Sequence, residues 1–153
     1  MQSKSLPAQN LGAGPTSIGA GDPVPRATAI GGLVAVAAIH LGQVVPTVNQ
    51  TPYLGAAFVA LTLACVFLAG WLLVDAPGPV WAAVALVNIS AIAGYVFTRT
   101  ASTFFDNQDV GNWGETLGLV ALLIEGSLVV LSLHQLRDEK VARSIPNSES
   151  GFR

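Results

Sequence analysis

Charge is scarce in this chain. Charged side chains make up 10% of its 153 residues against 52% hydrophobic ones, too few to solvate the surface of an ordinary soluble domain of that length. Seven Lys plus Arg against nine Asp plus Glu leave a formal charge of −2. That balance excludes a basic nucleic-acid binder and provides no polybasic patch for lipid headgroups. The single cysteine, Cys65, cannot close an intramolecular disulfide, and no Cys/His spacing matches a structural zinc site. There is no phosphate loop, serine-hydrolase elbow, HExxH pair or GxGxxG after a strand, and the loops are too short to house a catalytic domain. The chain reads as non-enzymatic, with no cofactor required by any motif.

What remains is apolar and regularly interrupted. Residues 1–26 are rich in Gly, Pro, Ser and Thr, carry only Lys4, Asp22 and Arg26 as charges, and read as a disordered arm. Four apolar blocks follow at 27–45, 53–74, 79–98 and 116–134, each close to the roughly 20 residues that a helix needs to cross hydrocarbon. The expected fold is all-α: a four-transmembrane-helix bundle over residues 27–136, with the disordered arm before it and a tail at 137–153. Pro46, with Asn49, Gln50 and Pro52, is expected to end the first span. The turn Asp75-Ala76-Pro77-Gly78-Pro79 makes spans two and three antiparallel neighbours, with Pro79 in the first helical turn. One sizeable loop runs from Arg99 to Glu115, and Glu115 stands where the macrodipole of the fourth helix favours an anion.

Four spans put both termini on one side. That side holds Lys4, Arg26, Arg137, Lys140, Arg143 and Arg153, whereas the other holds Arg99 alone, so the positive-inside rule predicts cytoplasmic termini in a plasma membrane. Trp71 and Trp81 are expected at the inner boundary and Tyr53, Tyr95 and Trp113 at the outer one. Ala35-Val36-Ala37 loosely matches a signal cleavage site, but the preceding arm is not basic and the apolar run continues past it, so the span is expected to be retained. Small residues at helical spacing, namely Ala56, Ala60 and Ala64, Ser90 and Gly94, and Gly114 and Gly118, predict close helix packing.

His40, Asn88, Arg99 and Glu125 are polar groups that hydrocarbon does not tolerate unless they face protein or water. With a rise of about 1.5 Å per residue, Glu125 lies about 14 Å below the outer end of its span, and His40 and Asn88 fall within the same slab about 6 Å thick. Gly114, Gly118, Ala121, Glu125 and Ser132 share one helical stripe, which turns the carboxyl inward. Gln43 shares the face of His40, and Tyr95 that of Asn88. A buried polar cluster of His40, Gln43, Asn88, Tyr95 and Glu125 follows, in which Glu125 either titrates or acts as a neutral carboxyl donating one interhelical hydrogen bond worth about 1 kcal/mol. Arg99 is expected to snorkel to the headgroups; the alternative pairs it with Asp106, Asp109 or Glu115 to order the outer loop. An EF-hand in DNQDVGNWGE is excluded, because the twelfth position counted from Asp106 is Leu117 where a Glu is required. A haem or metal at His40 would need a second ligand from Glu125, His134 or another subunit.

The strings YVFTRT and DVGNWGETLGLVALLIEG at 95–100 and 109–126, with AAIHL in span one and PYLGAAF opening span two, resemble a group of small four-span integral membrane proteins of actinobacteria without an assigned activity. Where the Arg-Thr pair of that group is often followed by a Gly-Leu-Pro turn, this chain has Ala101-Ser102-Thr103. The resemblance implies a four-helix membrane protein and supplies no substrate. Three functional readings stand at this point. The first is a non-enzymatic accessory or interaction subunit, in contact with lipid and with other membrane proteins or itself. The second is a small transporter or proton-linked component using Glu125 and His40. The third is haem or metal binding at His40 in an oligomer.

Overall fold

A computed structural model of the chain describes residues 23–101 and 109–144. The chain is an all-α bundle of four helices: α1 (Pro23–Gln50), α2 (Pro52–Val74), α3 (Gly78–Thr100) and α4 (Thr116–Ser144). All four are long and apolar enough to cross a membrane. At 1.5 Å per residue they measure about 35–43 Å, against about 30 Å of hydrocarbon. Their surfaces demand such a solvent. In each helix only 28% of the most apolar window is buried inside the bundle, and Leu63, Phe67, Leu86, Leu123 and Val130 all turn outward. Apolar faces of this extent on all sides are stable in lipid and not in water.

Three boundaries differ from the sequence reading. α1 begins four residues earlier than expected, because Pro23 and Pro25 occupy its first turn, where an amide donor has no partner to lose. It then continues through Pro46 to Gln50. Pro46 does not end the span: it lies inside α1, where it withholds one amide donor from the carbonyl of residue 42, and proline is tolerated within membrane helices more readily than in soluble ones. The opposite end of the chain extends α4 ten residues beyond His134, carried by exposed pairs His134–Asp138 and Arg143–Glu139. Lys4, Asp22, Asp106 and Arg153 lie outside the described residues.

The helices form a ring. α1 packs most extensively on α2 and α3 on α4, α1 also touches α4, and the α2–α3 contact is the thinnest; the diagonal pairs make no close backbone approach. Packing is uneven along the bundle axis. The half nearer the termini is a dry core in which Leu33 and Val36 of α1, Leu68 and Leu72 of α2, Val80 and Val84 of α3 and Leu128 of α4 interlock. Trp81 belongs to this core. It is 3% exposed and its indole Nε1 donates to the Ala76 carbonyl at 3.2 Å, so it is a packed residue and not the interfacial anchor that its position in the sequence suggested. At the same end the Arg26 guanidinium donates to the Leu72 and Leu73 carbonyls, supplying a cation and donors to the C-terminus of α2.

Candidate functional site

The half of the bundle nearer the α1–α2 and α3–α4 connections is not filled. A cavity of about 1090 Å³ lies there, bounded by all four helices and by the segment preceding α4. The small residues read as packing stripes explain it. Ala60, Ala64, Ser90 and Gly94 line the cavity, and no neighbour stands within 4 Å of where a Cβ of Gly94 or Gly114 would be. On α2 and α3 these residues make room instead of closing an interface. Gly118 alone serves tight packing as expected: a Cβ there would meet Cε2 of Tyr95 at 2.6 Å.

At the deep end of the cavity stand His40 and Glu125. Glu125 is 2% exposed and lies on the buried stripe of α4 with Gly118, Ala121, Leu128 and Ser132. Its Oε1 has no hydrogen-bond partner and sits 3.7 Å from Nε2 of His40. The imidazole is fixed from two directions. Nδ1 is 2.9 Å from the Val36 carbonyl, and the ring meets Phe58 edge-on at 5.1 Å between centroids. A carbonyl only accepts, so Nδ1 carries the proton, and in the neutral ring Nε2 presents a lone pair to Glu125. Two acceptors therefore face each other. They bond only when one proton is placed between them, on either atom.

At the mouth stands Arg99. Its side chain is 5% exposed, with Nη2 2.6 Å from Oε2 of Glu115, Nη1 3.0 Å from Oδ2 of Asp109, and the guanidinium carbon 4.7 Å above the ring of Tyr95. Snorkelling to headgroups is thus overturned: two carboxylates and an aromatic face hold the guanidinium inside the protein. The backbone explains how they reach it. The Gly111 amide donates to the Arg99 carbonyl at 3.0 Å, and Gly111 adopts φ +79, a left-handed turn that glycine accepts without strain. This turn folds residues 109–115 back onto the end of α3, where the Tyr95 hydroxyl donates to the Trp113 carbonyl at 3.3 Å. Glu115 is thereby both the residue at the head of α4 and a partner of Arg99. Asp106 lies outside the described residues.

No family model, curated protein or solved structure matches this chain. The site therefore rests on its own geometry. Of the five residues placed in one cluster, His40 and Glu125 meet, and Gln43 and Tyr95 line the same cavity. Asn88 does not join them. It is fully buried, its amide nitrogen donates to the Val84 carbonyl of its own helix at 2.8 Å, and its Oδ1 has no partner. Thr47, Gln50 and Thr98 also line the cavity. Their signal was present: His40, Gln43, Thr47 and Gln50 recur at spacings of three, four and three, a polar stripe along α1. Among the described residues no group of three or more His, Cys, Asp or Glu could hold a metal ion. His134 is exposed and pairs with Asp138 on α4's extension, at the far end from His40. Of the two second ligands that a metal at His40 could draw from this chain, Glu125 stands beside His40 and His134 does not.

Proposed function

We propose that this chain is a proton-linked component of the plasma membrane, both termini cytoplasmic, whose cavity opens to the outside and ends on a proton shared between His40 and Glu125. The single observation behind this reading is the facing pair of acceptors at 3.7 Å, one of them an otherwise unpartnered carboxyl oxygen, at the floor of a cavity reaching into the bundle. A carboxyl serving only as interhelical glue would be bonded across helices, whereas Oε1 of Glu125 has no hydrogen-bond partner. The dry core beneath the pair makes the cavity a blind vestibule, so passage to the other side requires a second conformation. Arg26, Arg137, Lys140 and Arg143 at the terminal end, with Arg99 neutralised by its two acids at the loop end, support the orientation. With no catalytic motif present, the role is binding or relay without bond chemistry. The four-span resemblance and the surrounding lipid are part of the same proposal.

Infrared difference spectroscopy on the full chain in lipid bilayers tests it. A protonated-carboxyl stretch that appears reversibly on acidification and vanishes in Glu125→Gln, with helicity unchanged, is the expected result. A carboxyl signal that stays constant across the accessible pH range, or that survives in Glu125→Gln, would overturn the reading.

A further inference from the structure

The proton is not the only donor that the floor of this cavity fits. Without it, Oε1 of Glu125 and Nε2 of His40 are two acceptors 3.7 Å apart, and the buried Oε1 has no hydrogen-bond partner. A buried pair of this kind is costly to leave unmet. One ammonium group bearing at least two N–H bonds can lie between them and satisfy both. Above them the α1 wall is polar, with Gln43, Thr47 and Gln50, whereas Phe58, Leu61 and Ala64 of α2 and Leu122 of α4 are apolar, and the volume of about 1090 Å³ is far larger than a proton or a water chain needs. The titratable groups lining the cavity among the described residues are His40 and Glu125 at the floor and Arg99, Asp109, Glu115 and the neutral phenol of Tyr95 toward the mouth. Counting the floor pair with one proton or none, their sum is −1 or −2, which attracts cations and repels carboxylates. A bare metal ion is a poor match, because it needs several oxygen ligands and no cluster of three acidic, His or Cys side chains is present among the described residues. Ala60 and Ser90, both exposed, line the cavity on either side of the thin α2–α3 contact.

We infer that the cavity binds a small lipophilic ammonium ion, a primary or secondary amine carrying one apolar group, with its N–H bonds directed at Glu125 and His40 and its apolar body against α2 and α4. The inference rests on the proposed function, since the amine takes the place of the shared proton. It requires exchange of one for the other: a bound ammonium excludes the proton, and the protonated pair presents one acceptor fewer to the amine.

Equilibrium dialysis of the full chain in detergent micelles, with empty micelles as blank, tests this with three probes that share the phenethyl group: phenethylammonium, phenethyltrimethylammonium and phenethyl alcohol. Phenethylammonium should bind at least about tenfold more tightly than either of the others, because only it offers N–H donors and charge together. Glu125→Gln should erase that preference while leaving phenethyl alcohol within about twofold of its wild-type affinity. His40→Asn provides a second variant, expected to lower the preference several-fold. Equal binding of the three probes, retention of the preference in Glu125→Gln, saturable binding of none of them, or a tightly held phospholipid that phenethylammonium fails to displace would each overturn the inference. The infrared carboxyl signal of the unliganded chain is independent of these outcomes, so a failed amine site and a failed proton site are told apart.

Discussion

Arg99 is the residue whose removal the structure prices most directly. Two unit charges about 3 Å apart attract by about 5–6 kcal/mol at the effective dielectric near 20 that suits partly buried sites. The side chains of Asp109 and Glu115 are 34% and 37% exposed, so water screens each pair and recovers part of the energy when the pair is broken. A coupling of about 1–2 kcal/mol is left for Arg99–Glu115 at 2.6 Å, and about 1 kcal/mol for Arg99–Asp109 at 3.0 Å. Arg99→Met should therefore destabilise the bundle by about 2–3 kcal/mol, the stacking on Tyr95 being lost as well. Double-mutant cycles of Arg99→Met with Glu115→Gln and with Asp109→Asn, followed by reversible SDS titration in mixed micelles, separate the two pairs. A coupling to Glu115 near 0.3 kcal/mol, the size of an exposed surface pair, or a larger coupling to Asp109 than to Glu115, would refute the reasoning.

The same titration checks three further substitutions. Asn88→Leu should be neutral or stabilise by about 0.5–1 kcal/mol, because it removes a buried carbonyl oxygen without a partner and one bond within its own helix; a loss above about 1 kcal/mol would mean that Asn88 bonds across helices. Gly118→Ala forces the Tyr95 ring aside and should cost about 1–2 kcal/mol, with Trp113 fluorescence changed as the Tyr95–Trp113 contact is lost; an unshifted emission spectrum would contradict it. Leu33→Ala, in the dry core, should cost about 1–2 kcal/mol, less than in a soluble protein, because the lipid reference removes the transfer term and leaves only lost packing. A loss of about 4 kcal/mol would show that this half of the bundle unfolds into water.

The four spans were legible because length and apolarity are local properties that each segment carries by itself. The inward stripe of α4 was legible too, since Gly118, Ala121, Glu125 and Ser132 repeat at helical spacing. What failed depended on partners. Trp81 reads as an interfacial anchor until the Ala76 carbonyl is seen beside it. Arg99 reads as a snorkelling cation until the turn at Gly111 brings Asp109 and Glu115 against it. Asn88 lies at the right depth for Glu125, but its amide is turned along its own helix, and depth says nothing of azimuth. The alanines and glycines of α2 and α3 were ambiguous in principle, because a missing side chain serves equally to bring helices together or to leave space between them.

The unequal filling of the two halves has an electrical meaning. Filled with water, a vestibule that ends at Glu125 carries the potential of the compartment it opens to, so nearly the whole membrane voltage falls across the shorter slab of Leu33, Leu72, Val80 and Leu128. A positive charge arriving at the floor crosses little of that field, whereas one leaving toward the other side crosses almost all of it, at about 2.3 kcal/mol per 100 mV. Under the proposed function, loading is then governed by concentration and release by voltage.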